Sequence, residues 1–500
     1  MKKFLIIPLG GLGKRFVNEG YRTYKPFLKV SNKNTILDNI INNFPKNIHL
    51  IIIGNHKKFN NITENIKYKN TTFIKIKNHK SGPVFSLFLA RERLCKIIKD
   101  SDFFISYSDI NWKWNYNKVE KFVTNKNITI FSHTGFHPHL EIDRKSDFFT
   151  FNNNKKVNKI SEKKLIKKNY KKNNLAIGCY HFKQFKIIEN FFETKDFKNN
   201  PKDKEIYIIN LLNYCLKLKL EISFYDLNKF VHLGVPWQYE DFLNWKEVLI
   251  DNFYKNLNLY YSSVMLMAGK GVRVKVLKEK KPFLKIKNQK IYEYIFKKFN
   301  SNKKYIITNN NYLKKINKNY DLYKITKTTS MLQTIEKSVN FLNDKNNFFI
   351  LSCDCFGYFD DNKFKQFIKL NDPDVVLFTF KITNFQRFIS NSHTSIKITN
   401  NKILSINVKK LLNDKNEFGH AGFFWVKNNN IFDFLKNFHI DVRLNREKLL
   451  DDYFKYLFDK KLCKVQYFNL DQYTHIGSVK EYSEYKYWEK YFESENRKFN

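Results

Sequence analysis

The chain opens on a short apolar run, Phe4–Pro8, that breaks at a glycine-rich stretch, and runs of the same length recur at His49–Ile53, Thr72–Ile76, Phe103–Tyr107 and Asn127–Ser132. Their length and their β-branched or aromatic content predict strands. Between them apolar positions fall at helical spacing, in Ile36–Phe44 and in Pro83–Ile98, the latter with Val84, Leu87, Phe88, the Arg91 stem and Leu94 on one face. Strand alternating with helix predicts an α/β fold with a mostly parallel sheet. Ligands of such sheets sit beyond the carboxyl ends of the strands. Gly10–Arg15 and Asp109 emerge at that edge.

The pattern is written twice. Ile6–Arg15 returns as Val264–Arg273, Lys25–Val30 as Lys281–Ile286, and Phe103–Asp109 as Phe348–Asp354. His232-Leu233-Gly234 with Tyr239 and Trp245 returns as His475-Ile476-Gly477 with Tyr482 and Trp488. Spacing is kept: Asp109 to Gly178 is 69 positions and Asp354 to Gly422 is 68. The expectation is a tandem duplication, with domains over 1–250 and 260–500 joined near Glu247–Tyr261 without a Pro/Gly linker, so that the halves pack together.

Composition changes this picture little. The 500 residues are 42% hydrophobic and 27% charged, enough to build substantial cores. No apolar run approaches the roughly 20 residues that span a bilayer, and the N-terminal run is too short for a signal peptide. The reading is a soluble, cytoplasmic protein without membrane insertion. The net charge of +43 invites a nucleic-acid partner, but only ten of the 90 basic residues are Arg and the Lys are dispersed among Asn, Ile, Phe and Tyr. Nucleic acid is therefore not the expected partner, whereas small phosphorylated substrates fit a basic surface. The six cysteines form no CxxC pair and read as buried thiols.

The residues that could carry chemistry are individually weak signals. Gly10-Gly11-Leu12-Gly13-Lys14-Arg15 follows the first strand, where glycines admit a phosphate or base close to the backbone and Lys14 and Arg15 add charge. It is neither a dinucleotide fingerprint nor a P-loop, and a plain structural turn would look the same. Asp109 could hold Mg2+ against substrate phosphates, or merely cap a turn. Lys25 and Lys163 gain meaning only from their order.

That order is GGxGxRF, GYxxxKPF at Gly20–Phe27, a strand ending in Ser-Asp, Glu162-Lys163, Asn174-x-Ala-x-Gly178-x-Tyr180, and GxPxxYxxFxxW at Gly234–Trp245. It resembles the sugar-1-phosphate nucleotidylyltransferase family, in the branch found in capsule and lipopolysaccharide gene clusters. The resemblance implies two glycosyltransferase-A-like, Rossmann-like three-layer domains with mixed, mostly parallel sheets. It also implies Mg2+-dependent transfer of a nucleotidyl group from an NTP to a sugar 1-phosphate. Gly10, Gly11 and Gly13 would cradle the nucleotide, with Gly82 opening a helix beside the base. Arg15 would hold the leaving pyrophosphate, Lys25 neutralise the α-phosphate, and Asp109 bind Mg2+. Glu162 and Gly178 would line the sugar pocket and Lys163 grip the sugar phosphate. Where many relatives have a second metal-binding aspartate this chain has His232, a poor Mg2+ ligand, taken here as a pocket residue.

The second half is worn. Gly271, Arg273, Lys281 and Asp354 survive, but Ala268 replaces a glycine, Ser330 stands for Gly82 and Val408-Lys409 for Glu-Lys. It is read as diverged, with the nucleotide and metal parts kept and the sugar contacts changed. Rival readings are a cytidylyltransferase for another phosphorylated acceptor such as phosphocholine, and a non-catalytic nucleotide-sugar-binding protein. The sequence leaves open the base, the sugar, and whether the doubled chain forms or replaces a homo-oligomer.

Overall fold

In a computed structural model of the chain, which describes residues 3–11, 13–200, 204–251, 256–269, 271, 277, 279–342, 345–389, 393–412, 416–439 and 449–496, the backbone forms two compact units. These are Met1–Trp245 and Lys246–Asn500.

In the first unit β1 (Phe4–Leu9), β2 (His49–Asn55), β3 (Thr71–Ile76) and β4 (Phe103–Ser106) lie parallel. β1 is between β2 and β4, with Phe4 opposite His49 on one side and Phe103 on the other. A strand with neighbours and helices around it must be apolar on both faces, which is why Leu5, Ile6, Ile7, Ile51 and Ile52 run without a polar break and are fully buried. After β4 the chain leaves the sheet in β5 (Ile110–Trp112). It re-enters as β6 (Ile128–Thr134), adds the hairpin β7 (Phe148–Phe151) and β8 (Val157–Ser161), and inserts the long β9 (Asn174–Phe182) antiparallel between β4 and β6. β10 (Ile222–Asp226) extends the far edge beside β6, and β11 (Phe230–His232) pairs antiparallel with β5. The order is β10-β6-β9-β4-β1-β2-β3, and four of its six pairings are parallel. The α/β class with a mixed, mostly parallel sheet is thus observed.

The helix Gly82–Ile98 buries Val84, Ser86, Leu87, Ala90, Leu94 and Ile98. Its face is rotated from the expected one. Phe88 is only partly buried, and the Arg91 guanidinium lies 4.3 Å over its ring rather than lending a stem to the core. The helix predicted over Ile36–Phe44 is shorter, Ile36–Ile41, and starts from a Thr35–Asp38 capping box.

The second unit has the same strand order. Ser262–Met267 sits centrally between Lys304–Thr308 and Asn346–Ser352, and Glu417–Asn428 is inserted antiparallel next to Val375–Phe380. A hairpin, Ser395–Thr399 and Lys402–Asn407, joins as β7 and β8 do. The separate ladder recurs as Cys355–Tyr358 with Gln472–His475. All six cysteines are free, and no described helix is long and apolar enough to cross a membrane.

Gly82 opens its helix at φ +83, and a Cβ there would lie 2.7 Å from the backbone N and O of Ile206. Gly82→Ala is therefore expected to lower stability by about 2–4 kcal/mol, from strain plus a backbone clash that no side chain can relieve. Urea unfolding of the purified chain measures it. An unchanged midpoint would contradict this packing.

Candidate functional site

The turn after β1 is fixed from several directions. Asn55, buried at the end of β2, donates from Nδ2 to the Gly10 carbonyl at 3.1 Å, and the Tyr24 hydroxyl donates to the Gly11 carbonyl at 2.7 Å. Phe16 is buried and packs edge-on against Tyr21 and Tyr239, so the residue before it, Arg15, is turned out to solvent. Gly10 has a packing reason, since a Cβ would meet Ser86 Oγ at 2.5 Å. Gly11 has none: nothing lies within 4 Å of where its Cβ would be. The backbone there is open to a ligand on one side and pinned on the other.

Asp109 lies in the turn between β4 and β5, two residues beyond the end of the strand predicted to carry it. The short β5–β11 ladder, with Ile110 opposite His232, sets its position, and Leu233 N–H donates to the Asp109 carbonyl at 2.7 Å. Lys25 Nζ reaches Asp109 Oδ2 at 3.0 Å. Burial pushes the Asp109 carboxyl up. The Lys25 charge and hydrogen bond, with smaller help from His232 and Arg15, outweigh that and hold it below its ordinary 3.8. Gly234 completes the surround, its Cβ position 3.3 Å from Asp109 Oδ2, so a larger residue would crowd the carboxylate.

His232 behaves differently. Burial, then the imidazole of His139, depress it to about 3 against the pull of Asp109, so the ring is neutral.

A second group of predicted residues meets across β9. Gly178 has φ +91, and its Cβ position is 2.8 Å from the Tyr107 ring, so only glycine lets that ring lie flat on the strand. The Tyr107 hydroxyl accepts from Ile208 N–H at 3.0 Å. Next to Ile208, Tyr207 receives Lys163 Nζ at 3.1 Å on its hydroxyl and 4.1 Å from its ring centroid. Glu162 accepts from Asn210 Nδ2 at 2.8 Å. Asp147 accepts the Lys163 backbone N–H at 3.1 Å, and burial raises its carboxyl to about 6. Arg15 contributes to the electrostatics of both Asp109 and Tyr207, which puts the two groups in one field. Tyr107, Tyr207, Asn210, Asp147 and Asn55 were not foreseen. Only Asn55 had a readable signal, an asparagine closing the second strand of each copy.

The second unit repeats the ion pair. Lys281 Nζ lies 2.7 Å from Asp354 Oδ2, both nearly buried. Asn309 donates to the Ala268 carbonyl as Asn55 does to Gly10, and Ile476 N–H to the Asp354 carbonyl as Leu233 does to Asp109. Lys409 keeps the positive φ of Lys163, although Val408 has no carboxylate to offer. Gly271 has φ +62 with nothing within 4 Å of its Cβ position, and Arg273 lies outside the described residues. The difference is His475. Its Nδ1 is 2.7 Å from Glu481 Oε1 and its Nε2 3.6 Å from Asp354 Oδ2. Burial works against its charge, but Glu481 and Asp354 raise it to about 9. The same position is neutral in one unit and cationic in the other.

No known family model and no curated protein matches the chain. Among solved structures it is similar to a nucleoside-diphosphate-sugar pyrophosphorylase from Vibrio cholerae, at 18% identity and a TM-score of 0.40, over 48% of this chain and 99% of that one. A putative glucose-1-phosphate thymidylyltransferase from Bacillus anthracis matches at 13% and 0.38, over 45% and 93%. An inositol-1-phosphate CTP transferase from T. maritima matches at 16% and 0.37, over 47% and 97%.

His475 titrates above its ordinary 6.5, so its stabilisation is complete below about pH 6.5 and is lost as pH rises through about 9. Calorimetry of the intact chain from pH 6 to 10 is expected to show a transition falling across that window. In His475→Gln the fall should flatten. A profile identical to wild type would count against the clamp.

Proposed function

We propose that the first unit is a Mg2+-dependent sugar-1-phosphate nucleotidylyltransferase, making an NDP-sugar and pyrophosphate, and that the second is a diverged copy of it. The observation that carries this is the Lys25–Asp109 pair, held at the carboxyl edge of the parallel strands beside the open Gly11 turn and the exposed Arg15.

The reaction needs little acid–base help. An oxygen of the sugar phosphate attacks the α-phosphorus of the NTP, the bond from that phosphorus to the bridging oxygen breaks, and pyrophosphate leaves with the electron pair. The barrier lies in bringing anions together and in the charge gathering on the leaving group. Arg15, exposed beside the open turn, would meet the second need. Lys25, anchored on Asp109, places a cation where the α-phosphate would lie. Lys163, braced on Tyr207, would hold the sugar phosphate, while Glu162 and Asn210 offer an acceptor and a donor to sugar hydroxyls. Gly178 and Tyr107 shape the floor of that pocket.

Asp109 fits a hard divalent ion as a single ligand: it is an anionic oxygen donor even where burial opposes its charge. Mg2+ there would neutralise the phosphates. His232 is unsuited to it, so substrate oxygens and water would complete the shell.

The phosphocholine reading wants an aromatic cage open to a cation. The face of Tyr207 is already covered by Lys163, and Glu162 is paired with an amide, which favours a hydroxylated, anionic acceptor. In the second unit the site electrostatics are closed internally by Lys281, His475, Asp354 and Glu481, which favours a structural or regulatory half over a second working site. Capsule or lipopolysaccharide biosynthesis is the pathway the motif order favours.

Pyrophosphate release across the common NTPs and a panel of sugar 1-phosphates, with Mg2+, tests the reading. Asp109→Asn is expected to lower kcat by at least about 10³-fold and Arg15→Ala by about 10²–10³-fold. Asp354→Asn should stay within about threefold of wild type. Turnover lost on Asp354→Asn and kept on Asp109→Asn would reverse the assignment. No turnover with any pair would reject the enzyme reading.

A further inference from the structure

Next to His232 the first unit gathers imidazoles. His137 and His139 flank the start of the short helix Pro138–Ile142, and His232 ends β11. One nitrogen from each lies within 4.8 Å of the other two. The ring centroids of His137 and His139 are 5.2 Å apart, and those of His137 and His232 are 5.4 Å apart. We infer that His137, His139 and His232 form a site for one borderline divalent transition metal of the Zn2+ class, separate from the oxygen site at Asp109.

The donor set decides the metal class. Three nitrogens without a carboxylate or carbonyl among them are a poor cage for Mg2+ or Ca2+, and three imidazoles with a fourth position for water are a familiar Zn2+ arrangement. Which nitrogens serve follows from the surroundings. His137 Nδ1 accepts the backbone N–H of His139 at 3.1 Å, which leaves coordination to Nε2, in competition with the ring's hydrogen bond to the Phe230 backbone. His139 Nε2 is 3.1 Å from the buried Asp241 Oδ2, so His139 would coordinate through Nδ1. A carboxylate gripping the far nitrogen of a ligating histidine fixes its orientation and strengthens it as a donor.

Electrostatics agree. The carboxylates of Asp241, in contact with His139, and Asp109, acting on His232, would offset the charge of a bound dication. Phe230, 5.5 Å from His137 and 4.6 Å from His232, and Trp237, 5.0 Å from His139, pack against the cluster. Elements distant in the chain thus meet at one point: the segment after β6, the end of β11, and the helix Pro236–Lys246.

The second unit supplies an internal control. His393, His475 and Glu481 are equally close. There both nitrogens of His475 face carboxylates, at 2.7 and 3.6 Å, so the ring serves as a cation between anions and not as a ligand. One metal per chain follows, not two. The inference does not depend on the proposed activity.

The test uses the full chain, stripped with a chelator and desalted. Titration with ZnCl2 against a chromophoric chelator should give one tight equivalent per chain. Replacing Zn2+ with Co2+ should give the intense visible bands of a four-coordinate nitrogen site, a readout that needs no variant. The double variant His137→Gln, His139→Gln should weaken binding at least about 100-fold, and Asp241→Asn about 10–100-fold. His475→Gln should leave stoichiometry and affinity unchanged. A Co2+ spectrum no different from that of the aqueous ion, Zn2+ affinity equal in wild type and double variant, or an equivalent lost only with His475→Gln would each overturn the assignment.

Discussion

A carboxylate set against the carboxyl edge of a buried sheet pays a desolvation penalty that only a nearby cation can cancel. Lys25 supplies that cation for Asp109, and much of the first unit is arranged so that the two meet. The β5–β11 ladder positions one partner. The other rides on a 3-10 turn, Lys25–Phe27, buttressed by Tyr239, whose hydroxyl donates to the Lys29 carbonyl at 2.6 Å. Breaking one partner of such a pair costs more than the pair contributes, because a charge is stranded. That asymmetry accounts for a local design in which both backbone supports are themselves hydrogen-bonded. In the second unit Tyr482 supports Lys285 in the same way, at 2.9 Å.

The two units differ less in framework than in how they balance charge. Around Asp109 the field is left incomplete: one lysine, a solvent-facing arginine and a neutral histidine. Around Asp354 it is complete, since His475 adds a proton and Glu481 adds its counterion. A site that must take up anions and a cation in turn benefits from the first arrangement. A site that only has to stay folded benefits from the second. Gln238 and Glu481 stand at matching positions, and the carboxylate of Glu481, with Asp354, is what holds the proton on His475.

The strand pattern was legible because a parallel strand buried on both faces must be a continuous apolar run, and β1, β2 and β4 are. The ordered motif could be read because Gly10, Asp109 and Gly178 each follow or interrupt an apolar run, with Lys25 placed between them by its Lys-Pro-Phe repeat. What could not be read is what meets from far along the chain. Tyr207 is 44 positions from Lys163, Asn210 is 48 from Glu162, and Ile208 is 101 from Tyr107. His137 and His139 are visible as a local pair, but their approach to His232 exists only once β6 and β11 are in place. The rotation of the helix Gly82–Ile98 escaped for a related reason: Ser86, small and polar, is buried against Gly10 and hydrogen-bonded to His79, contacts that the spacing of apolar residues does not show.

Each nine-stranded sheet draws every strand from its own half of the chain, and β1, the earliest in sequence of its own sheet's strands, ends up in the interior with neighbours on both sides. A nascent polypeptide leaving the ribosome therefore carries the template strand of this sheet before any of that strand's neighbours. β2 and β3 can dock on one flank and β4 on the other as they emerge, while the antiparallel insertion of β9 waits for residue 182. By the time the second half is being synthesised, the first has all its pairing partners in hand, and no strand need be held back for exchange between halves of the same topology. For a protein that contains the same topology twice, that order of appearance is a safeguard against misassembly.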